Sequence, residues 1–372
     1  MKLSLLQDNF QTALTHVSRF VASKSQLPIL NNIVLATDSG RLKLSATNLD
    51  LSINYWLGAK IDEEGAISVP AKEITEFVSY LTPGKIDLEV TNGLLKISSP
   101  KANSTFATTP VADFPQIPTL DPKTAFELDY QSFSPAVGKV AFTAAIDDSR
   151  PVLTSILCRF SANNLLMVGT DGFRLSLEDV KLVNPIDLKA DDSNTFLIPS
   201  RTLSEVTKLA KNAKTVKVGL TSDSHQVVFV LEDLEIVSRL LQGDYPDYQR
   251  IIPPEFTTKA FVNREELAQA VKIASVFARE SANVVKFNFK SSTLELTANA
   301  PQIGQNLAVV DAKIEGEPLE IAFNYKYVSD FLAVCQGEEI VIGLNQSLTP
   351  GSFQDQGSPH FTHIIMPVRI QD

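Results

Sequence analysis

The sequence has little cysteine, methionine or tryptophan and lacks any long apolar run. Among 372 residues there are two cysteines, three methionines and one tryptophan. Cys158 and Cys335 lie far apart in no metal-binding or redox motif, which excludes a disulfide framework and favours a reducing compartment. No segment approaches the roughly 18 apolar residues that a membrane span needs, and the first residues lack the apolar stretch of a signal peptide. We therefore expect a soluble, intracellular protein with no membrane partner.

The common motifs of catalysis and nucleotide binding are also absent. The sequence contains no Gly-x-Ser-x-Gly, no Walker loop and no Gly-x-Gly-x-x-Gly. His360 and His363 have a His-x-x-His spacing, but no acidic or cysteine ligand stands beside them in the usual pattern. Asp147 and Asp148 imitate paired carboxylates, although turn and helix-end acids are the better interpretation. These features predict no metal, no cofactor and no catalytic residue.

One short stretch leaves a question open. In TDGFRL (170–175), Asp171 followed by Gly172 fits either a catalytic acid on a tight turn or an Asp-Gly turn joining two strands. The corresponding turns elsewhere in the chain carry Asn48 and Ala300, so the fold does not need an acid at this position. The comparison favours the turn.

The chain carries an excess of acidic residues. The 33 basic and 43 acidic residues give a formal net charge of −10. This balance argues against indiscriminate nucleic-acid binding by the whole surface, yet it permits a local basic face. Hydrophobic residues make up 44% of the chain, as in an ordinary globular protein.

Three pattern types recur at a spacing of 123 to 133 residues. Amphipathic helices are predicted after Leu5, Leu128 and Phe261, with Asp8, Ser134 (followed by Pro135) and Asn263 near their starts. Each is followed by a strand pair that alternates apolar and polar residues, and then by a second helix. We interpret the chain as an α+β protein made of three tandem copies of one domain, each with two helices packed on β-sheet. The expected domains are 1–119, 120–252 and 253–372.

Basic residues recur on or beside the predicted helices. In the second helix of the middle repeat, Arg201, Lys208 and Lys211 share one face, with Glu205 partly offsetting them. A solvated polar face explains any one of these residues equally well. The set as a whole favours a surface that faces phosphates, with contacts that carry no base-sequence information and weaken with salt. The predicted DNA-facing residues are Lys24, Lys72, Lys139, Arg201, Lys208, Lys211, Lys272 and Arg279.

Nearly the whole chain resembles the beta subunit of bacterial DNA polymerase III, the family of replicative DNA sliding clamps. The pieces that carry the resemblance are LPILNNI (27–33), ADFP (112–115), SRPVLTSI (149–156), TDGFRL (170–175), GDYPDYQRIIP (243–253) and MPVR (366–369). The resemblance implies the DNA-clamp fold and a head-to-tail homodimer that forms a six-domain ring. Duplex DNA would pass through it, bound without sequence preference, and the ring would tether a polymerase for processive synthesis without catalysing any reaction itself.

The resemblance also implies a hydrophobic cleft between the second and third domains, lined in part by TDGFRL. Short linear peptides of the polymerase III alpha subunit, other DNA polymerases, the clamp loader and repair proteins would dock there. Apolar walls with a few polar groups suit such a peptide, although any one of these residues could belong to the core. The cleft residues are Leu153, Thr170, Gly172, Phe173, Arg174, Leu175, Pro246, Arg250, Ile251, Asn324, Tyr327, Ile364, Ile365, Met366, Pro367, Val368 and Arg369.

Dimer contacts follow from the resemblance as well. Ser104 and Phe106 on one strand are expected to face Val276 and Phe277 of the partner subunit, with ordinary domain core as the competing interpretation.

Two departures from the family pattern bear on the predicted DNA-facing residues and on the predicted cleft. Glu73 stands beside Lys72 where more basic charge is expected, and Gln371 and Asp372 form a short tail next to the cleft.

Two other functions remain open from the sequence. One is a hydrolase that uses Asp171 and Asp147 as acids, and the other is a soluble repeat scaffold that binds peptides but never encircles DNA. The sliding clamp is the preferred interpretation, and it implies a cytoplasmic, nucleoid-associated protein.

Overall fold

A computed structural model of the chain describes residues 1–22, 25–182, 185, 194–211 and 213–369. These residues form two compact units. The first contains residues 1–130 and 205–240, and the second contains residues 131–204 and those from Leu241 onward. No helix within the described ranges is long and apolar enough to cross a membrane.

Helices occur in pairs, two in each sequence repeat, as predicted. Within the described residues they are α1 (Gln7–Val17), α2 (Ala71–Ser79), α3 (Tyr130–Ala141), α4 (Ser200–Leu209), α5 (Arg264–Ala278) and α6 (Tyr325–Val334).

Strands make up most of the remaining structure. The first repeat contains β1 (Lys2–Leu6), β2 (Asn32–Asp38), β3 (Arg41–Thr47), β4 (Leu51–Gly58), β5 (Lys60–Glu63), β6 (Ala66–Pro70), β7 (Lys85–Thr91), β8 (Leu94–Ser98) and β9 (Asn103–Ala107). The second contains β10 (Phe126–Asp129), β11 (Ser155–Phe160), β12 (Asn164–Thr170), β13 (Arg174–Lys181), β14 (Thr195–Pro199), β15 (Thr215–Leu220), β16 (Gln226–Leu231) and β17 (Leu234–Arg239). The third contains β18 (Thr258–Asn263), β19 (Val284–Phe289), β20 (Thr293–Ala300), β21 (Gly304–Glu315), β22 (Leu319–Asn324), β23 (Glu339–Leu344), β24 (Gly351–Asp355) and β25 (Phe361–Ile365).

One sheet in each unit combines strands of two consecutive repeats. In the first unit, an eight-stranded sheet has the order β10-β15-β16-β17-β4-β3-β2-β6, and a five-stranded sheet has the order β5-β1-β7-β8-β9. In the second unit, a twelve-stranded sheet has the order β14-β11-β12-β13-β25-β24-β23-β18-β21-β20-β19-β22. The antiparallel pairs β4–β17 and β13–β25 therefore join consecutive repeats edge to edge.

The predicted helix starts are right in one case of three. Asn263 caps α5, because its side-chain oxygen accepts hydrogen bonds from the backbone N–H groups of Glu265 and Glu266 at 2.9 and 3.1 Å. The prediction of Asp8 as a cap is wrong, since α1 already begins at Gln7, after Leu6, without a side-chain cap.

The start predicted at Ser134 is also wrong. Helix α3 begins four residues earlier, at Tyr130, and Pro135 lies inside it. The buried side chain of Phe133 extends the apolar stripe of Ala136, Val137 and Val140 toward the N-terminus, and burial of this extra turn favours the longer helix. The proline lies only one turn and a half from the start, where few intrahelical hydrogen bonds are lost.

A chain of aromatic rings forms the centre of the third repeat. Phe323 packs edge to face against Phe287 and Phe353, with ring centroids 5.5 and 5.4 Å apart, and Phe353 continues to Phe331 at 5.8 Å. All four side chains are fully buried in the core that also contains residues of α5 and α6, and Phe331 itself belongs to α6. Each such pair adds roughly 0.5–1.5 kcal/mol beyond simple burial, so this core holds the strands that flank the candidate site.

Candidate functional site

The TDGFRL stretch forms the turn between β12 and β13. The Oδ1 atom of Asp171 accepts hydrogen bonds from the backbone N–H groups of Phe173 and Arg174 at 2.9 and 3.0 Å, and its Oδ2 accepts one from Nε of Arg174 at 3.0 Å. Gly172 adopts a φ of +91°, in the left-handed region that glycine tolerates best. The carboxylate of Asp171 is thus committed to its own turn, which contradicts the hydrolase interpretation.

The first repeat contains the same turn with a different residue. Asn48 Oδ1 accepts hydrogen bonds from the N–H groups of Asp50 and Leu51 at 3.1 and 2.8 Å, and Leu49 has a φ of +77°. The Asn48 amide oxygen therefore accepts the same two backbone hydrogen bonds as the Asp171 carboxylate. The prediction from the repeat comparison, that this position needs no acid, is confirmed.

Arg174 fastens three elements of the second unit together. Its guanidinium bonds Asp171 at 3.0 Å, Asp330 of α6 at 2.5 Å, and the carbonyl oxygen of Phe142 just after α3 at 2.8 Å. The group also lies over the rings of Phe142 and Tyr327, at 5.3 and 4.6 Å from their centroids. Its side chain is only 11% exposed, so Arg174 holds the turn in place from the protein interior and contributes little to the exposed surface.

An apolar cluster lies against one face of the paired strands β13 and β25. Leu175 is directly opposite Ile364 in the register, and both pack with Leu157, Val168 and the ring of Tyr248. Several partly buried apolar residues close this cluster at its edge: Val152, Leu166, Leu177, Leu241, Tyr245, Ile251 and Ile252. The segment that carries Tyr245 to Ile252 connects the second and third repeats across this face.

Two large apolar side chains remain exposed beside the cluster. Phe173 is 59% exposed and Met366 is 39% exposed. They are neighbours, because the N–H of Met366 donates to the carbonyl oxygen of Phe173 at 2.9 Å. Adjacent exposed apolar residues next to a buried apolar floor are typical of a surface that binds another molecule. We call Leu175, Ile364, Ile251, Phe173 and Met366 the cleft.

The predicted cleft residues fall into three groups. Leu175 and Ile364 belong to the floor and Ile251 to the edge. Leu153 is buried, and it is the neighbouring Val152 that packs against this cluster. Supporting roles belong to Thr170, whose hydroxyl donates to the carbonyl of Arg174 at 2.6 Å, and to Asn324, which caps α6 through the N–H of Lys326. The remaining residues at the exposed or half-exposed margin are Pro246, Arg250, Pro367, Val368 and Arg369.

Ile365 does not face this cluster. Its side chain is fully buried in the core on the other side of the sheet, with Phe331 and Phe361. The reason is the alternation of a strand: if Ile364 points to one face, Ile365 must point to the other. The tail residues Gln371 and Asp372 lie outside the described residues.

Behind the same strands lies a layer of buried polar groups. Lys139 Nζ of α3 bonds Glu178 Oε1 of β13 at 2.8 Å, with the two side chains 12% and 11% exposed. Burial raises the pKa of Glu178 despite the nearby ammonium. His363 of β25 bonds Ser176 through Nδ1 at 2.8 Å, and burial, with a smaller contribution from Arg174, lowers its pKa to about 3.

This layer changes the set of basic residues that could face DNA. Lys139 is engaged with Glu178 and points toward the ring of Phe361, so we remove it from the set. Lys24 lies outside the described residues. The other basic residues predicted to face DNA are all exposed: Lys72, Arg201, Lys208, Lys211, Lys272 and Arg279. Among these, Lys208 lies 3.4 Å from Glu205, which is also held by Arg19 at 2.7 Å.

The four residues predicted at a dimer interface differ in exposure. Val276 is exposed, whereas Phe277 is half-buried against the core of the second unit. Ser104 and Phe106 are half-buried on β9, and the Phe106 ring packs edge to face on Phe77 with centroids 5.3 Å apart. Strand β9 is the edge of its five-stranded sheet.

The histidine and acidic candidates do not form a reactive site in the described residues. No group of three or more potential metal ligands occurs within the described ranges. His363 is buried while His360 is exposed, so the His-x-x-His pair does not converge. Asp147 accepts hydrogen bonds from the hydroxyl and from the backbone N–H of Ser149, and these two bonds lower the pKa of Asp147.

Sequence reasoning missed several residues that build the site. Phe142, Asp330 and the Lys139–Glu178 pair hold its elements together from distant parts of the chain, and no local pattern announces such contacts. The packing of the tyrosines of GDYPDY was predictable from the sequence, because large aromatic residues in a proline-rich connection indicate packing against the rest of the domain. Tyr245 donates its hydroxyl to the carbonyl oxygen of Val168 at 3.1 Å.

Comparison with known proteins agrees with this architecture. The three family models of the DNA polymerase III beta subunit match the chain in order: the N-terminal domain at residues 1–118, the central domain at 127–247 and the C-terminal domain at 249–369. The beta sliding clamp of Bacillus subtilis is 31% identical, over 99% of this chain and 100% of the relative. That of Synechococcus elongatus is 30% identical over the full length of both.

Solved structures show the same fold. The sliding clamp from Bacillus subtilis superposes with a TM-score of 0.93 at 29% identity, and the beta subunit from Thermotoga maritima with 0.91 at 28%, each covering 100% of both chains. A clamp from Bartonella birtlesii bound to griselimycin gives 0.92 at 27% identity, again over 100% of both chains. The chain therefore belongs to the DNA polymerase III beta subunit family, the sliding clamps of DNA replication, which are processivity factors and not catalytic enzymes.

Proposed function

We propose that the chain forms a head-to-tail homodimeric ring of six domains that encircles duplex DNA. The ring tethers the replicative polymerase and captures short peptides of the polymerase III alpha subunit, other polymerases, the clamp loader and repair proteins. The observation that carries the peptide-binding part is the cleft, where Phe173 and Met366 lie exposed beside the apolar floor of Leu175 and Ile364. The domain limits of this proposal are 1–119, 120–252 and 253–372.

Sliding on DNA fits the distribution of charge. A ring is retained by topology, so its contacts with phosphates can be weak and few, and a net charge of −10 is compatible with that role. The exposed Lys72, Lys272 and Arg279, on or beside helices, supply such contacts, together with Arg201, Lys208 and Lys211. Replication in bacteria takes place in the cytoplasm, and we infer a nucleoid-associated location.

Two open strand edges provide surfaces through which the subunits of the proposed dimer can pair. Strand β9 has no neighbour on its outer side among the described residues. On β21, residues 304–311 pair with β20, while β18 pairs only with residues 312–315, so residues 304–311 have one edge without a neighbouring strand among the described residues. Ile303, Leu307 and Val309 are exposed there. Two open edges with apolar residues nearby can pair between subunits, and Val276 extends this surface.

The peptide-binding part is tested by fluorescence anisotropy with a labelled Gln-Leu-x-Leu-Phe peptide. We expect micromolar binding to the wild type and at least tenfold weaker binding to Met366→Glu, because a charge at the cleft margin opposes burial of the leucine and phenylalanine anchors. Met366 is exposed, so the fold should survive, as circular dichroism can check. Tyr80→Glu is the matched control, since Tyr80 is an exposed apolar residue of the other unit.

Either of two results contradicts the proposal. One is failure of the wild type to bind the peptide at all, and the other is a control substitution that weakens binding as much as Met366→Glu does. Leu175→Asp gives a second test at the floor of the cleft, but Leu175 is fully buried and its fold must be verified first.

A further inference from the structure

A second depression lies on the same sheet face as the cleft. It has a volume of about 530 Å³ and lies between the segment Pro254–Phe256 and the strands β18, β23 and β24. Its walls include the rings of Phe256 and Phe261, its floor includes Gly343 and Ser352, and Lys259 stands at its rim. We call this depression the outer groove.

The strand register makes the cleft and the outer groove neighbours. Residues directly opposite each other on adjacent strands share a face of the sheet. The pairs run Leu175↔Ile364, Ile364↔Ser352, Ser352↔Gly343 and Gly343↔Lys259. One row of residues therefore joins the cleft floor to the groove rim, and Ile364, Ser352 and Gly343 within it are buried. At about 4.8 Å per strand, Gly343 is roughly 10 Å from Ile364.

The lining of the groove combines polar side chains, Gln354 and Gln356 among them, with apolar surface that an apolar side chain can contact. Gly343 has no side chain, and the Phe256 ring packs directly on it, so close that a side chain at 343 would clash with the ring. Phe261 and Val341, a second directly opposed pair, add apolar surface beside it. The hydroxyl of Ser352 is buried at the border with the cleft and has no hydrogen-bond partner among the described residues. A buried polar group normally has a partner, and a bound backbone can provide one.

The rim adds a charge preference. Lys259 is exposed. The acid opposite it across the strands, Glu315, is bound by Lys313 at 2.6 Å. The charge of Lys259 also acts on Glu315, and its exposed ammonium can in addition meet an acidic group of a partner. Glu255 lies on the other side of the groove, so the preference is local to the β18 rim.

From this continuity we propose that the outer groove extends the peptide site, and this inference rests on the proposed function of the cleft. Its occupant is the flank of the same partner peptide: an aromatic or large aliphatic residue about three positions beyond the core motif, next to an acidic residue. Three residues of extended chain span roughly 10 Å, the separation of the two sites. Partners with such a flank would bind more tightly than partners that end at the core motif. Partners that compete for the same cleft would therefore differ in affinity.

The test compares three labelled peptides by anisotropy on the full-length protein. One carries the core motif alone, and two carry an added Phe-Asp flank with the phenylalanine three residues from the core, at the N-terminal or the C-terminal end. We expect one of the two extended peptides to bind the wild type about tenfold more tightly than the core peptide, a gain of the order of one well-buried side chain.

Groove variants should remove the gain and nothing else. Lys259→Glu and Phe261→Ser are expected to bind the extended and core peptides equally, with core affinity unchanged. Lys217→Glu, an exposed strand lysine of the first unit, is the control for charge reversal and should keep the full gain. Met366→Glu should weaken all three peptides.

The two proposals fail in different ways. Equal affinity of core and extended peptides for the wild type, or a gain that survives both groove variants, overturns the outer groove and leaves the cleft in place. Failure of every peptide to bind the wild type overturns the cleft and the groove with it.

Discussion

At the scale of single residues, Asp171 shows how a reactive side chain can be purely structural. Its two oxygens accept three hydrogen bonds, from the N–H groups of Phe173 and Arg174 and from Nε of Arg174. Asn48 provides the same two backbone bonds in the first repeat without a charge. The acid is therefore a turn residue that also orients the guanidinium beneath the cleft.

This assignment predicts different outcomes for two substitutions at one position. Asp171→Asn should cost at most about 1 kcal/mol of unfolding free energy, because an amide oxygen still accepts from the backbone, and peptide binding should remain. Asp171→Ala should cost about 2 kcal/mol, since it leaves N–H groups and the Arg174 guanidinium short of partners. Urea denaturation and peptide anisotropy measure both. If the two variants were equally stable, the side-chain hydrogen bonds would not hold the turn.

At the scale of elements, the buried pair Lys139–Glu178 fixes helix α3 to strand β13. Removing one partner of a buried pair leaves an uncompensated charge, whereas replacing both partners with apolar residues can be nearly neutral. The pair also explains why a lysine on a helix predicted to face DNA is turned inward.

We predict that Lys139→Met lowers the free energy of unfolding by about 3 kcal/mol at pH 8. Burial already raises the pKa of Glu178, and loss of the ammonium raises it further. The folded variant then binds a proton more readily than the unfolded chain, so its deficit should shrink as pH falls toward 5. Urea denaturation at several pH values tests this, with Lys139→Met/Glu178→Leu expected to recover most of the loss. An unchanged stability with weaker DNA binding would instead return Lys139 to the DNA-facing set.

The elements themselves were largely predictable, and their contacts were not. Period and alternation located the helices and strand pairs of all three repeats, and Asn263 announced the start of α5. The start of α3 was missed because burial of Phe133 outweighs the local signal of Ser134 and Pro135. Ile365 was assigned to the cleft by motif, although strand alternation already opposed placing it beside Ile364. The inward turn of Lys139 depends on Glu178, 39 residues away, which no local pattern reveals.

At the scale of the whole molecule, the repeats are joined through sheet edges. The pairs β4–β17 and β13–β25 each unite consecutive repeats in one antiparallel sheet. The same mode of association would let β9 of one subunit meet the open edge of β21 in another. Closure of such a dimer would cover these two open edges, which otherwise invite aggregation.

We propose that a closed dimer of this chain holds DNA by topology. The most direct measurement is gel filtration of the labelled protein after loading onto a nicked circular plasmid by its clamp loader with ATP, before and after linearisation at a single site. We expect the protein to elute with the circular plasmid and to be released when the plasmid is cut, because a ring slides off a free DNA end. Protein that stays bound to linear DNA, or never remains on the circle, would contradict it.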